Sequence, residues 1–471
     1  MGEAPHDPVR AALHRVVKAY DVRGRVPDPL DAALVRRLAG AFVVETEARS
    51  IVLGHDMRLS SPMLATAFAD GARAAGADVV SIGLASTDLL SFASGHLDRP
   101  GAMVTASHNP PEDNGLKLCR AGAVPIGVHS GLDRIRDLAA GGVPPGESVG
   151  GFRTLEVLPD YADLLCRLAP VAPRPLRVVV DAGNGMAGLT APAVLGDLPA
   201  VDLVPLFFEL DGSFPNHPAN PLDAATLVDL QRTVVGEGAD LGLAFDGDAD
   251  RCFAVDETGA IVSPSAVAAL IAVRMLRREP GATVLHSLIA SRVVPEVVAR
   301  HGGVPVRTRV GHSFVKAAMA ETGAIFAGEH TGHYYYRDFW RADCGLLTAR
   351  HLLAALAESE GPASALLAPY HRYEGSGEID LRVAEPREVL EAVARRFEDR
   401  RDVRIDRLDG VGVTHPSWWF NVRASNTEPV LRVNVEGVDR ATMERVRDEV
   451  LAVVLAGATG EADHRSEVRR A

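Results

Sequence analysis

The chain has 471 residues, 47% hydrophobic and 24% charged, with 49 Lys and Arg against 62 Asp and Glu for a net charge of −13. At about 150 residues per domain this length predicts three or four domains, and so ordinary a composition excludes a disordered, collagenous or fibrous chain. The negative charge and the 5% aromatic content argue against general binding to nucleic acid or to an anionic membrane.

In chain order, residues 51–54 read as a strand, 62–76 as a helix, and 79–83 and 102–105 as strands again. Alternation at these lengths implies parallel sheets with crossover helices. Three phrases echo one another: IVLGHD at 51–56, RVVVDAGNG at 177–185 and TVLHSL at 283–288. Each is an apolar strand ending in polar or Gly residues, with a helical stretch after it. Joints are predicted at 141–151 and 361–377, where Gly, Pro and Ser interrupt the pattern. Beyond the second joint the character changes. Strands are predicted over 378–383, 418–422 and 430–435, with a helix over 386–400, as in a small α+β unit. Residues from about Gly460 onward are polar and are expected to fray.

No apolar run approaches the ~20 residues of a membrane span, and Arg274 interrupts even the stretch 266–276. The start, MGEAPHDPVRAALHRVV, lacks a charged head followed by an apolar core, so no secretory signal is expected. Cys119, Cys166, Cys252 and Cys344 form no CxxC pair and no zinc spacing. Reduced thiols in a cytoplasmic protein are the expectation.

Five constellations carry chemical potential. Thr105-Ala106-Ser107-His108-Asn109-Pro110-Pro111 follows a strand, where α/β proteins place reactive groups. Alone it reads first as a hydrogen-bonded turn, and it is not the GxSxG elbow. Asp246-Gly247-Asp248-Ala249-Asp250-Arg251 follows the apolar run LGLAF. Three carboxylates at alternate positions repel one another unless a cation holds them, and all-oxygen ligands suit Mg²⁺ or Ca²⁺. A calcium loop is excluded, although Glu257 falls at its twelfth position. Arg251 stands where such a loop needs Gly, and strands rather than helices flank it. Gly328-Glu329-His330-Thr331-Gly332-His333 is a polar loop able to bind hydroxyls. Arg423-Ala424-Ser425-Asn426-Thr427-Glu428-Pro429 offers a guanidinium fork, hydroxyls and backbone N–H groups to a phosphate, or else is a plain hairpin turn. Tyr20-Asp21-Val22-Arg23-Gly24 says little alone.

In order and spacing, AYDVRG (19–24), TASHNPPEDNGLK (105–117), DGDADR (246–251), RVGHSFVK (309–316), GEHTGH (328–333) and RASNTEP (423–429) resemble the α-D-phosphohexomutase family from about Ala19 to Val453. RASNT is more like the bacterial phosphomannomutase/phosphoglucomutase branch than the phosphoglucosamine mutase branch, where Ser-Gly-Thr is more usual. The resemblance implies four domains around a central cleft: three α/β domains with mixed, mainly parallel sheets, then a C-terminal α+β domain. Its limits would be 1–150 with a phosphoserine loop, 151–257 with a metal loop, 258–368 with a sugar loop and 369–460 with a phosphate loop, before a flexible tail at 461–471. The fourth domain is expected to close on substrate about a hinge near 361–377.

The resemblance also implies roles. Ser107 would carry a phosphoryl group and join Asp246, Asp248 and Asp250 around Mg²⁺. Arg23, His108, Lys117, Arg251 and His312 would complete the catalytic set, with the general base left open between Lys117 and His312. Tyr20, Glu329, Thr331 and His333 would bind the sugar, and Arg423, Ser425, Asn426 and Thr427 its distal phosphate. Thr331 departs from the Ser usual in this branch, and His330 carries little weight. The implied reaction interconverts hexose 6-phosphate and hexose 1-phosphate of mannose or glucose through a hexose 1,6-bisphosphate, which also serves as activator. Alternatives are a phosphoglucosamine mutase, a non-catalytic sugar-phosphate sensor and a metal-dependent phosphatase. The partner is a small hexose phosphate, with no nucleic acid or membrane, and the oligomeric state is left open between monomer and dimer.

Overall fold

The computed structural model describes residues 7–196, 198, 200–383, 385–424, 430–458 and 469–470. They form four sheets in succession. The first is ordered Val22–Arg25, Asp113–Arg120, Gly101–Val104, Ser50–His55, Asp78–Leu84, Phe152–Thr154, with Val124–Pro125 beside Asp113–Arg120. Its last four strands run parallel, while Asp113–Arg120 is antiparallel to both neighbours. The pairing of Phe152–Thr154 with Asp78–Leu84 carries this sheet past residue 150. Helices Ala32–Thr46 and Ser61–Ala74 cover one face. They approach closely because Gly71 has no side chain: a Cβ there would lie 2.2 Å from the Arg36 carbonyl oxygen.

The second sheet is ordered Ile261–Val262, Cys252–Asp256, Leu241–Phe245, Leu176–Asp181, Val201–Leu206. The third is ordered Val304–Thr308, Thr283–Ser287, Phe326–Gly328, Tyr334–Tyr336, Ala342–Asp343. Both mix parallel and antiparallel pairs, as expected. The fourth is antiparallel: Arg404–Asp406, Val411–His415, Trp418–Ala424, Val430–Gly437, Glu374–Arg382, then the short strand Arg469–Arg470. Helices Pro386–Glu398 and Arg440–Ala458 pack together beside it. Apart from Arg469–Arg470, the expected tail lies outside the described residues.

The first three units share one core. Val52 and Met103 of the first sheet, Val178 and Leu243 of the second and Val284 and Phe326 of the third belong to a single apolar cluster. Two helices thread it, Pro264–Arg278 and Gly345–Glu358. Arg274, which breaks the longest apolar run, reaches Glu358 at 2.6 Å. The fourth unit has a core of its own around Phe397, Trp418 and Phe420. It meets the third through polar contacts, Arg307 with Asp406 at 2.6 Å and Arg292 donating to the Pro416 carbonyl at 2.8 Å. The joint predicted at 361–377 contains a short helix, Ala363–Leu367, and the start of strand Glu374–Arg382. No helix among the described residues is long and apolar enough to cross a membrane, and all four cysteines are free.

A polar node ties the first three units together. Asp88 is wholly buried and accepts from Ser86, from the Tyr161 hydroxyl at 2.7 Å and from the Cys344 thiol at 3.1 Å. Burial pushes its carboxyl up to about 6. Replacing Asp88 by Ala leaves Ser86 without its acceptor and Tyr161 with only the Cys344 sulfur, at 3.5 Å, and each buried unsatisfied donor costs about 1–3 kcal/mol. The expected result in urea titration is a loss of about 3 kcal/mol for the transition that reports the first three units. An unchanged midpoint would show that the node holds nothing.

Candidate active site

Ser107 sits on the turn after strand Gly101–Val104, almost fully buried, with φ +53°. A left-handed backbone is uncommon for a residue other than Gly and persists only where its surroundings impose it. The Ser107 hydroxyl donates to Asp246 Oδ2 at 2.8 Å and lies 3.2 Å from His108 Nδ1. The two loops touch because residue 247 is Gly: a Cβ there would lie 2.5 Å from the Ser107 carbonyl oxygen.

Asp246, Asp248 and Asp250 are buried on the turn between strands Leu241–Phe245 and Cys252–Asp256. One oxygen from each lies within 4.8 Å of the others. Lys117 Nζ stands 2.6 Å from both Asp248 Oδ2 and Asp250 Oδ2, Thr87 Oγ1 donates to Asp248 at 2.5 Å, and Arg251 Nε lies 3.4 Å from Asp246. Burial and the charges of Asp250 and Asp248 push Asp246 up to about 7. Burial works the same way on Asp248, but Lys117 outweighs it and holds this carboxyl well below the ordinary range. Burial also opposes the Lys117 ammonium, and Asp248 and Asp250 overcome it, so Lys117 stays charged. Asp248 Oδ1 and Asp250 Oδ1 are buried without a hydrogen-bond partner. Orphaned carboxylate oxygens in an all-oxygen cluster fit a hard divalent cation such as Mg²⁺.

His333, expected at the sugar, lies behind this cluster: Nδ1 is 2.9 Å from Asp343 and 3.6 Å from Asp250. Asp343 also meets Lys316 at 3.0 Å. With Lys316 on Asp343 and His333 between Asp343 and Asp250, this second group braces Asp250.

Arg23 donates from Nε to Asp21 at 2.8 Å and from Nη1 to Asn109 Oδ1 at 2.6 Å, clasping the serine turn. Lys117, His312 and Tyr20 line one small cavity with Asp250 and Lys316. Burial, then the Lys316 ammonium, pushes His312 down to about 3, so its imidazole is neutral. The Tyr20 ring packs against His312 and Phe314 with centroids 5.4 and 5.9 Å apart. Glu329 is buried, its two oxygens accepting from Gly311 N at 3.1 Å and from the Tyr335 hydroxyl at 2.6 Å. Thr331 lines a separate small cavity with His330, Gly377 and Glu378, facing the fourth unit.

Arg423 is 2% exposed and donates to Glu378 Oε2 at 2.8 Å; Glu378 Oε1 meets Arg432 at 3.0 Å. Its partner is thus a largely buried carboxylate of a neighbouring part of the sheet. Ser425, Asn426 and Thr427 lie outside the described residues. Sequence reasoning missed Arg58, Thr87, Lys316 and Asp343. GHDMR marks a polar cluster at a strand end but not the partners of Arg58, and all four residues become meaningful only through contacts distant in the chain.

Four family models match successive stretches: phosphoglucomutase/phosphomannomutase alpha/beta/alpha domain I over residues 14–141, domain II over 159–259, domain III over 263–373 and the C-terminal domain over 378–453. The chain is similar to a protein named phosphohexose mutases from Xanthomonas campestris, 38% identical over 93% of this chain and 99% of that one. It is also similar to a phosphomannomutase/phosphoglucomutase from Pseudomonas aeruginosa, 35% identical over 92% and 94%. A solved structure of a phosphoglucomutase/phosphomannomutase family protein from Burkholderia thailandensis superposes with a TM-score of 0.87 at 32% identity, covering 95% of this chain and 98% of that one. With all four domain models matched in order and such identity maintained across nearly the whole length, the chain belongs to the phosphoglucomutase/phosphomannomutase family.

Proposed function

We propose that the protein interconverts hexose 6-phosphate and hexose 1-phosphate, with mannose and glucose as the sugars, by way of a phosphorylated Ser107. The observation that carries this reading is the pairing of a buried serine hydroxyl with a buried carboxylate triad whose oxygens are partly orphaned. A hydroxyl so placed is suited to carry a phosphoryl group beside a cation. Mg²⁺, held by Asp246, Asp248, Asp250 and an oxygen of phospho-Ser107, would when bound neutralise charge on the transferring group.

In the forward step a sugar hydroxyl attacks phospho-Ser107. The new P–O bond forms to the sugar as the bond to Ser107 Oγ breaks, giving a hexose 1,6-bisphosphate; Ser107 Oγ takes up a proton to regain its hydroxyl and gives it up again when the other phosphate returns. Lys117 or His312, which line one small cavity, takes up the hydroxyl proton and returns it. Arg23 and Arg251 add positive charge around the reacting oxygens, as phosphoryl transfer requires. His108 sits beside the serine, and burial with the neighbouring arginines keeps it neutral. Glu329 is oriented by Gly311 and Tyr335 to accept sugar hydroxyls, with Thr331 at the far edge of the loop. Arg423, with Ser425, Asn426 and Thr427, holds the phosphate that is not being transferred. The bisphosphate then turns end for end, its other phosphate returns to Ser107, and added bisphosphate restores any enzyme that has lost its phosphoryl group. Free thiols support a cytoplasmic setting.

Three outcomes test this. Incubation with glucose 1,6-bisphosphate should add one phosphoryl group, read by intact mass and mapped to Ser107, while Ser107→Ala should take up none and lose turnover by several orders of magnitude; an unmodified wild type would refute the reading. Chelation should abolish activity without unfolding the protein, since the triad lies on one short turn; full turnover in excess chelator would remove the metal. Arg423→Ala should raise KM and lower kcat together, because energy from the remote phosphate positions the reacting end, while Ser107 still becomes phosphorylated. An unchanged KM would end the clamp assignment.

A further inference from the structure

Arg58 is wholly buried and feels the charge of Asp248, but its hydrogen bonds go elsewhere. It donates instead to four main-chain carbonyls of the serine turn: Ser107 at 2.7 Å, Asn109 at 2.6 Å, Pro110 at 2.6 Å and Asp113 at 2.9 Å. Its counter-ion, Asp56, lies 3.4 Å from Nε. Asp56 is in turn held by the Ser61 hydroxyl at 2.5 Å, by the Arg58 backbone N–H at 3.0 Å and by the side chain of Thr105. Thr105 Oγ1 also accepts from the Ser107 backbone N–H at 3.0 Å. A closed circuit results. The N–H of Ser107 is tied through Thr105 to Asp56, Asp56 to Arg58, and Arg58 to the C=O of Ser107. The second unit seals it, with the Phe214 ring 5.1 Å from the guanidinium and Gly212 so close that a Cβ would lie 2.5 Å from Arg58 Cα.

We propose that Arg58 is a positioning residue that fixes the strained turn of Ser107, so that the phosphoryl group is presented to the sugar hydroxyl and withheld from water. A planar fork can donate to four carbonyls from its two terminal nitrogens while its charge faces Asp56, whereas an ammonium has three donors and no plane. The peptide carbonyls are drawn toward Arg58, which fixes both backbone ends of Ser107 and leaves only its side-chain torsion free. The turn therefore keeps one shape whether its hydroxyl is free or phosphorylated. This inference rests on the phosphoserine reading above.

The test is the lifetime of the phosphoenzyme together with steady-state kinetics. Wild type, Arg58→Lys, Arg58→Gly and Thr105→Val are phosphorylated with glucose 1,6-bisphosphate. Loss of the group to water is followed by intact mass, and kcat and KM are measured on glucose 1-phosphate. A small misplacement of a reacting group costs on the order of 100-fold, so kcat of both Arg58 variants should fall by about that factor with KM little changed. Their phosphoenzymes should hydrolyse faster than wild type. Millimolar guanidinium, added to Arg58→Gly, should restore part of kcat and lengthen the phosphoenzyme lifetime; it should do nothing for Arg58→Lys. Thr105→Val, which keeps the buried charge pair, should show a smaller loss of both, and it decides the matter if the Arg58 variants do not fold. Lower melting temperatures with wild-type kcat and phosphoenzyme lifetime would reduce Arg58 to a structural residue and overturn the proposal. Failure of the wild type itself to take up phosphate would instead sink the phosphoserine reading.

Discussion

Three aspartates confined to one buried turn are the feature on which the rest of the site depends. Their charges cannot be left uncompensated in a low-dielectric interior, since each would be forced either to protonate or to find a cation. Lys117 answers part of this demand from the first unit, Arg251 from the turn itself, and the two orphaned oxygens of Asp248 and Asp250 leave room for a divalent ion. The same balance draws Ser107 into place. Its hydroxyl donates to Asp246, and its carbonyl lies against a residue that must be Gly. Charge compensation therefore joins the shared apolar core in fixing where the first and second units meet.

Packing supplies the rigidity that this balance needs. One apolar cluster runs through three sheets, and the Asp88 node crosses the same three units with a carboxylate, a phenol and a thiol. Thr87, next to that node on the helix Thr87–Leu97, donates to Asp248. The aspartate turn is thus braced from a helix whose own seat is fixed in the core. The fourth unit differs. It has a separate core, and its contacts with the third are ion pairs and backbone hydrogen bonds, the kind of interface across which domain motion is the default. That contrast suits a site in which three units hold the reacting group and the fourth holds the other end of the substrate.

Much of the architecture was legible in the sequence, because alternating short apolar runs and helical stretches leave few alternatives to parallel sheets, and because three carboxylates spaced by Gly and Ala have little reason to exist without a cation. Strand Phe152–Thr154 was missed: all three of its residues are exposed, so they carry no apolar pattern. Arg58 was missed for a different reason. Its partners are main-chain carbonyls about fifty positions away, and a carbonyl has no residue identity to read. Arg423 was expected to wait for phosphate; in the structure it pairs with Glu378, forty-five residues earlier, a contact set by the antiparallel order of the fourth sheet. His333 stood in a sugar-loop motif, but the bridge that joins it to Arg251 turns it toward Asp250 and Asp343.

The central claim is that Ser107 passes a phosphoryl group to and from the sugar. A single-turnover experiment addresses it most directly. Enzyme carrying a radiolabelled phosphoryl group on Ser107 is mixed with unlabelled glucose 6-phosphate and quenched over milliseconds to seconds. The account predicts that label moves to hexose 1,6-bisphosphate at least as fast as steady-state turnover and afterwards appears in glucose 1-phosphate. Label released mainly as inorganic phosphate, or retained on the protein while product accumulates, would contradict it.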